Sequence, residues 1–369
     1  MTTLYLIRHA ESEGNLFRIC QGQDDELLTS TGLAQCRALG ARFRSVPLSA
    51  VYTSDLYRAA MTAQAIAKPH HIKLSPDPAL REIRLGPLEG HSWGDVYREL
   101  PALRTASVHA LELPGCETRA DVARRMTRTL TAIARRHDGE AVAAVSHGGA
   151  ISAFLDAILP DVSLNLAGNT SVTTLTYDTG RWNLVSPPDL SHLTRAGVPS
   201  AALFREGQTD LWFDDLVPGR DDALIDRTGR DAWLAVFGNL TDYRPTVFRD
   251  NARRLLGRPG LAVRCMDGDT VAGMLLLDAD QQDEPDIGHI SLVYLEPAYR
   301  RRGLGMQLIG HAVVVYRALG RSVLRLHVSQ RNKPAVRLYQ KCGFRFTTVP
   351  CSLSGQLVMK KNIGIPKLF

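Results

Sequence analysis

The sequence predicts two α/β units in tandem, a three-layer unit followed by a unit with a mixed sheet. Three observations predict this. Two apolar runs, 4–7 and 141–145, read as buried parallel strands with helical patterns between them. The pattern breaks around Ser186-Pro187-Pro188. Beyond the break the order changes to helices, then a hairpin, then alternating strands and helices. A length of 369 residues suits two domains.

In chain order, strand 4–7 runs into His9. Helical patterns follow near 31–44, 55–67 and 118–136, with Thr29-Ser30-Thr31 offering a cap for the first and Ser54-Asp55 for the second. Strand 141–145 runs into His147. Strands at 172–177 and 182–185 close the unit, giving a first domain of 1–190 and a linker of 191–208. The second domain, 209–369, reads as helices near 229–239 and 244–256, strands 261–266 and 270–277 joined through Asp267-Gly268-Asp269, strand 289–295, helix 303–319, strand 322–328 and helix 334–341.

Composition excludes several classes. Hydrophobic residues make up 44% and charged residues 22%, which permits a full core and argues against disorder. No run of about 18 apolar residues exists, so no membrane span is expected. The N-terminal segment lacks a signal-peptide pattern, so a cytoplasmic location is expected. Six cysteines at 20, 36, 116, 265, 342 and 351 show no zinc spacing and read as buried thiols in a reducing compartment; no metal is expected. Residues 1–190 hold 19 basic and 20 acidic side chains, and residues 191–369 hold 25 and 18. A basic half fits nucleic acid or a polyanionic small molecule; the absence of interleaved aromatics favours the latter.

In open α/β sheets ligands bind at the carboxyl ends of strands. Arg8-His9 ends one buried strand. His147 ends another and is followed by Gly148-Gly149 opening a helix, whose amides favour anions. These residues are part of a series that resembles the histidine phosphatase superfamily, which includes cofactor-dependent phosphoglycerate mutases. The series is Arg8-His9-Ala10-Glu11-Ser12 with Asn15, then Leu28-Thr29 with Gly32 and Gln35, then Ser54-Asp55-Leu56 with Arg58, then Leu80-Arg81-Glu82-Ile83, then Pro114-Gly115-Cys116-Glu117-Thr118, then Ser146-His147-Gly148-Gly149. The resemblance covers about 3–185. Cys116 stands where the family has glycine.

The resemblance implies a phosphoglycerate mutase-like fold and His9 as a nucleophile that forms a phosphohistidine. The chemistry agrees, because neutral imidazole is abundant at pH 7 and attacks phosphorus without prior deprotonation. Arg8 and Arg58 would stabilise the charge on the equatorial oxygens, with His147 and Asn15 as further donors. Gln21 and Gly22 complete the expected phosphate-binding set. Glu82 is the candidate acid and base, against a plain salt bridge to Arg81 or Arg84. The compact first half leaves no room for the long mutase insertion, so hydrolysis of a small phosphate ester is expected.

In the second half Arg300-Arg301-Arg302-Gly303-Leu304-Gly305 follows a strand and opens a helix, which suits a pyrophosphate. The wider run, Val293-Tyr294-Leu295-Glu296-Pro297 through Gly305, resembles the coenzyme A motif of the GNAT family of N-acetyltransferases, and Asn332, Ala335, Leu338-Tyr339 and Cys342-Gly343-Phe344 resemble its downstream motif. The resemblance implies acetyl-CoA as acyl donor, with Arg301, Arg302, Gly303, Leu304, Gly305 and Met306 on the pyrophosphate. It implies Val293, Tyr294 and Leu295 along pantetheine, Asn332 near the cofactor and Tyr339 as general acid. His289 is placed with Ser291, Val293 and Leu295 on one strand face by period two, and is the candidate base toward a small-molecule amine. Asp210, Asp214, Asp215, Asp221, Asp222 and Asp226 read as an acceptor-side cluster or a solvated loop, and Glu296 as a turn cap. The expectation is a bifunctional enzyme acting in successive steps on one metabolite. The alternative is a phosphatase whose GNAT half senses acetyl-CoA. Neither nucleic acid nor membrane is an expected partner.

Overall fold

The computed structural model of the chain describes residues 1–104, 113–162, 168–200, 209–280, 284–347 and 356–368. The first half comprises β1 (Thr2–Arg8), α1 (Glu13–Phe17), α2 (Ser30–Phe43), β2 (Ala50–Thr53), α3 (Tyr57–Ala67), β3 (Leu74–Pro76), α4 (Trp93–Glu99), α5 (Arg119–Arg136), β4 (Ala141–Ser146), α6 (Gly148–Ile158), β5 (Val172–Asp178), β6 (Arg181–Asp189) and α7 (Ser191–Ala196). Its sheet runs β3-β2-β4-β1-β5-β6, with the first four strands parallel and β5 and β6 antiparallel.

Both faces of β1 and β4 are covered, which explains their near-continuous apolar sequence. Leu4, Leu6, Val142 and Ala144 pack against Met126 and Leu130 of α5 and Ile151 and Phe154 of α6. Ile7, Ala143 and Val145 pack against Leu39 and Phe43 of α2 and Ala63 and Ile66 of α3. The result is three layers.

Two boundaries differ from expectation. β6 continues through Pro187 and Pro188, because it is an edge strand and needs no donor on its outer side. Part of the stretch expected as a linker is α7, whose His192 and Leu193 are buried and whose neighbour Asp189 pairs with Arg42 of α2. The rest of that stretch, 201–208, lies outside the described residues.

The second half comprises β7 (Trp212–Asp215), α8 (Asp222–Phe237), α9 (Pro245–Arg254), β8 (Ala262–Asp267), β9 (Thr270–Asp278), β10 (Ile287–Leu295), α10 (Gly305–Ala318), β11 (Val323–Ser329), α11 (Lys333–Lys341), β12 (Arg345–Phe346) and β13 (Gln356–Asn362). The mixed sheet runs β12-β13-β11-β10-β9-β8-β7, and β10 and β11 are its parallel pair. α10 and α11 cover one face, and α8 and α9 the other. α8 begins earlier than the apolar pattern indicated, because its first turns are acidic; acidic residues are favourable at a helix N-terminus. Gly268 takes φ 56° in the tight turn between β8 and β9.

No helix among the described residues is long and apolar enough to cross a membrane. The two halves share packing: Phe17 and Ile19 of the first lie in the apolar core of the second.

Candidate active site

β1 and β4 are adjacent and parallel, with Arg8 opposite Ser146, so the residues just past their ends converge. His9 and His147 lie with ring centroids 5.0 Å apart and are 3% and 0% exposed. The Nδ1 of His9 is 2.8 Å from the carbonyl of Ala10. A carbonyl only accepts, so Nδ1 carries the hydrogen and Nε2 keeps its lone pair. Burial, then the charges of Arg58 and Arg8, hold the pKa of His9 well below the usual 6.5. The ring is therefore neutral at pH 7.

His147 is held low by burial, then by Arg58 and His9, and neither of its ring nitrogens has a hydrogen-bond partner among the described residues. Arg58, at the start of α3, is 1% exposed; its Nη1 donates to Asp24 O at 2.6 Å and Nη2 to Gly22 O at 2.7 Å, while Nε has no partner among the described residues. Arg8 is 4% exposed, and burial lowers its pKa to about 10. Gly148 gives the Arg8 side chain room, since a Cβ there would lie 3.3 Å from Nε.

Glu82 pairs with neither Arg81 nor Arg84. Arg81 forms a bidentate pair with Asp55 at 2.6 and 2.5 Å. The Glu82 carboxylate instead sits at the start of α6: Oε2 accepts from Gly149 N at 3.0 Å, and Oε1 accepts from Ala150 N at 2.8 Å and Ile83 N at 2.9 Å. It therefore lies on the helix that His147 opens. The loop carrying Cys116 accommodates the side chain: Gly115 takes the left-handed φ of 81°, and Cys116 Sγ donates to Leu85 O at 3.1 Å.

Asn15 Oδ1 accepts from Ser12 N at 3.2 Å and from Asn169 Nδ2 at 3.2 Å. Gln21 Oε1 accepts from Ser12 Oγ at 2.8 Å. Gly22 contributes its carbonyl to Arg58, and its φ of 48° suits glycine. The structure thus brings Arg8, His9, Arg58 and His147 into one buried cluster, with Glu82 at the start of the helix that His147 opens, while Asn15, Gln21 and Gly22 bond neighbouring protein groups.

In the second half, β10 pairs with β11 only from Ile287 to Ile290, although β10 runs on to Leu295 and β11 to Ser329. The strands splay, and residues 291–295 of β10 keep an edge that β11 does not cover. Beyond β10, Arg301 and Gly303 take left-handed φ values of 62° and 82°, and α10 opens at Gly305. A Cβ on Gly305 would lie 2.7 Å from Leu338 Cδ2, so this glycine seats α11 against α10. Arg302 donates to Thr209 Oγ1 at 2.9 Å, and Leu304 and Met306 join the core or its margin. Asn332 is the N-cap of α11, its Oδ1 accepting from Ala335 N at 3.2 Å. Tyr339 is 7% exposed within the core, and burial raises its pKa.

His289 requires a correction. A β-bulge between Ile290 and Leu292 leaves Ser291 as an extra residue and reverses the alternation. Val293 and Leu295 pack beside the α10 core, whereas His289 sits across from Asp278 on the side of Leu292 and Tyr294. His289 therefore lies on the opposite face from Val293 and Leu295 and is not placed beside them as a base. Its ring stands 5.2 Å from that of His327, and burial lowers its pKa to about 4.

The six aspartates are largely engaged within the protein: Asp210 pairs with Arg18, Asp214 and Asp221 with Arg220 and Arg264, Asp222 with Arg253 and Asp226 with Arg249, while the exposed Asp215 accepts from Gly260 N. Glu296 is the N-cap of the turn at 297–299, its backbone carbonyl accepting from Tyr299 N at 2.9 Å, while its carboxylate pairs with Arg227 at 2.6 Å.

The family model of the histidine phosphatase superfamily (branch 1) matches residues 4–189, just over half of the chain. The chain belongs to the histidine phosphatase superfamily. A second family model, Acetyltransferase (GNAT) family, matches residues 227–344. Among curated relatives, a metal-independent phosphoserine phosphatase of Arabidopsis thaliana is 34% identical over 53% of this chain and 85% of its own. A probable phosphoglycerate mutase GpmB of Proteus mirabilis is 30% identical over 53% and 96%. The solved structure of Bacillus stearothermophilus YhfR is 32% identical, covers 52% of this chain and 100% of its own, and superposes with a TM-score of 0.50.

In this member of the histidine phosphatase superfamily, three residues carry no mark in the sequence that singles them out. Asn169, fully buried, donates to His9 O at 2.9 Å as well as to Asn15. Thr170 donates its N–H to Arg8 O at 3.1 Å and holds φ 61°, strained for a β-branched residue. Gly168-Asn169 just before a strand was the available sign of a tight turn. Arg125 of α5 bonds the carbonyls of Ala79, Arg81 and Glu82 and the carboxylate of Glu117, bracing the segment that presents Glu82. On an arginine-rich helix nothing in the sequence marks it.

Proposed function

We propose that the first half hydrolyses small phosphomonoesters through a phosphohistidine at His9, and that the second half transfers acetyl groups from acetyl-CoA to a small amine, the two acting in succession on one metabolite. One observation carries the phosphatase reading. Beside a histidine whose Nδ1 is engaged by the Ala10 carbonyl, three buried nitrogens, His147 Nδ1 and Nε2 and Arg58 Nε, have no partner among the described residues. Orphaned buried polar groups cost roughly 1–3 kcal/mol each, so a cluster of them supports a site built for a ligand.

The chemistry follows from these positions. Nε2 attacks phosphorus, a P–N bond forms and the ester P–O bond breaks. Nδ1–H stays on the Ala10 carbonyl. Arg8, Arg58 and His147 donate to the three equatorial oxygens, and Asn15, whose oxygen is engaged, offers its NH₂. The leaving oxygen takes a proton from Glu82. Oε2, which accepts a single amide, has a lone pair left to carry that proton. Water then attacks phosphorus, gives its proton back to Glu82, and the P–N bond breaks to release phosphate.

For the second half, acetyl-CoA when bound would supply an activated thioester. The splay between β10 and β11 and the left-handed turn before α10 fit such a ligand: the free edge at 293–295 can take strand-like hydrogen bonds, and the first amides of α10 face an anion. Arg301 and Arg302 add charge there, and Tyr339 holds a proton at its hydroxyl.

The test is p-nitrophenyl phosphate turnover with inorganic phosphate as readout. His9→Ala should lower kcat by about 10³-fold or more. Phosphate release unaffected by that substitution, or no release by the parent chain, would refute the phosphatase reading. In parallel, free thiol release from acetyl-CoA against a panel of amines and amine phosphates reads the second half. Acceptors confined to one activity would refute the succession.

A further inference from the structure

The two halves meet along a face that reaches the phosphoryl pocket. α1 is shared between them. Its Asn15 turns to Ser12 and Asn169, while Phe17 is 1% exposed in the core of the second half, against Gly310 of α10. The segment after α1 supplies Gly22 and Asp24, whose carbonyls take both Nη groups of Arg58. With both Nη groups fixed, the plane of the guanidinium is set, and so is the direction of its unpartnered Nε.

That segment is held from the far half. Arg317, at the end of α10, donates to Glu26 at 2.9 Å and to Glu13 at 3.4 Å. Lys361 of β13 pairs with Glu13. Arg18 forms a bidentate pair with Asp210 at 2.7 and 2.8 Å. Glu13, Glu26 and Lys361 are 5%, 5% and 4% exposed. Removing one partner from pairs this deep leaves a buried charge uncompensated, so the surrounding backbone must move to let water in.

We propose that Arg317 and Lys361, both in the acetyltransferase-like half, are positioning residues for phosphoryl transfer: by anchoring Glu13 and Glu26 they hold the 18–26 segment that fixes the guanidinium of Arg58. The proposal rests on reading the His9 pocket as a phosphoryl site. It makes the second half part of the first half's active site, whatever the second half itself catalyses. A displacement of about 1 Å at a charge-stabilising group is worth as much as 10²-fold in rate.

The experiment uses the full chain and two readouts, binding of orthovanadate by calorimetry and hydrolysis of p-nitrophenyl phosphate. Arg317→Leu and Lys361→Met should each weaken orthovanadate about tenfold and raise KM by a similar factor. Arg317→Lys, which keeps the charge on Glu26, should recover most of the affinity. Arg98→Ala removes a contact elsewhere on the same interface, where the guanidinium lies 4.0 Å over the Trp212 ring, and should leave both readouts at parent values. If Arg317→Leu does not fold, Glu26→Gln decides, because it removes the charge but keeps the shape and should weaken orthovanadate in the same way. Parent-like affinity and KM in folded Arg317→Leu or Glu26→Gln overturns the proposal, and so does an equal loss in Arg98→Ala. A parent chain that binds no orthovanadate and releases no phosphate overturns it at its root, by removing the phosphatase reading.

Discussion

His9 shows how much one backbone carbonyl decides. Because Ala10 O accepts from Nδ1, the reactive lone pair belongs to Nε2, and the phosphorylated enzyme should carry its phosphoryl group there. Rapid quenching in base followed by phosphorus NMR of the digested peptide separates the two isomers; phosphate on Nδ1 would contradict this geometry. Asn169 and Thr170 steady the same residue from behind by bonding the carbonyls of His9 and Arg8. At this scale Arg8, His9 and His147 were legible from their strand-end positions, whereas Arg58 and Glu82 stood out only through the resemblance to the histidine phosphatase superfamily. The bracing residues did not stand out. An asparagine in a turn and an arginine on an arginine-rich helix acquire meaning only once their partners, far away in sequence, are known.

At the scale of elements, helix α10 is held to α1 by a glycine. A Cβ on Gly310 would lie 2.5 Å from Phe17 Cβ, a contact near the backbone that no rotamer change relieves. Within an isolated helix Gly→Ala stabilises by about 1 kcal/mol. Overpacking costs about 1–3 kcal/mol. The clash wins, so Gly310→Ala should lower stability by about 1 kcal/mol in urea denaturation, and Phe17→Ala by about 3–5 kcal/mol through the cavity it leaves. A more stable Gly310→Ala chain would show that α1 yields freely. Elements with long periodic patterns were legible: β1, β4, α2 and α5 lie where apolar spacing put them, and Thr29 caps α2 by accepting from Gly32 N at 2.9 Å. Shorter ones were not, since the four residues of β2 and three of β3 hold too little period to see. Ser54 accepts from Leu56 N, but the N-cap of α3 is Leu56 itself. The bulge at Ser291 was hidden for another reason: an exposed serine inside a strand looks like an ordinary solvent-facing position, so nothing signals that the alternation reverses there.

Across the whole molecule, the charge excess of the second half was visible in the sequence, but its use was not, because Arg317 and Lys361 neutralise Glu13 some three hundred positions earlier. The pocket is likewise tied to the end of the first half through His192. Arg42 donates to its Nδ1 at 3.4 Å, so Nε2 carries the hydrogen and donates to Thr170 Oγ1 at 3.1 Å, and Thr170 in turn donates to Asn169 O at 2.7 Å. Burial, then Arg42, lowers the pKa of His192 from 6.5 to about 4. The unfolded chain binds a proton at this residue near pH 6.5, and the folded chain does so only near pH 4. The stability contributed here is therefore complete above pH 6.5 and drains away as pH falls toward 4. Buried carboxyls with raised pKa values, Glu11 and Glu13 among them, act in the opposite sense, so the parent's own pH profile is a sum of both. A difference measurement isolates the histidine. His192→Asn should be less stable than the parent at pH 7.5, through the lost hydrogen bonds, and the gap should narrow by about 2 kcal/mol on going to pH 5. Chemical denaturation of both proteins at several pH values gives the gap directly; one that stays constant from pH 7.5 to 5 would mean that His192 becomes protonated without leaving its place in the fold.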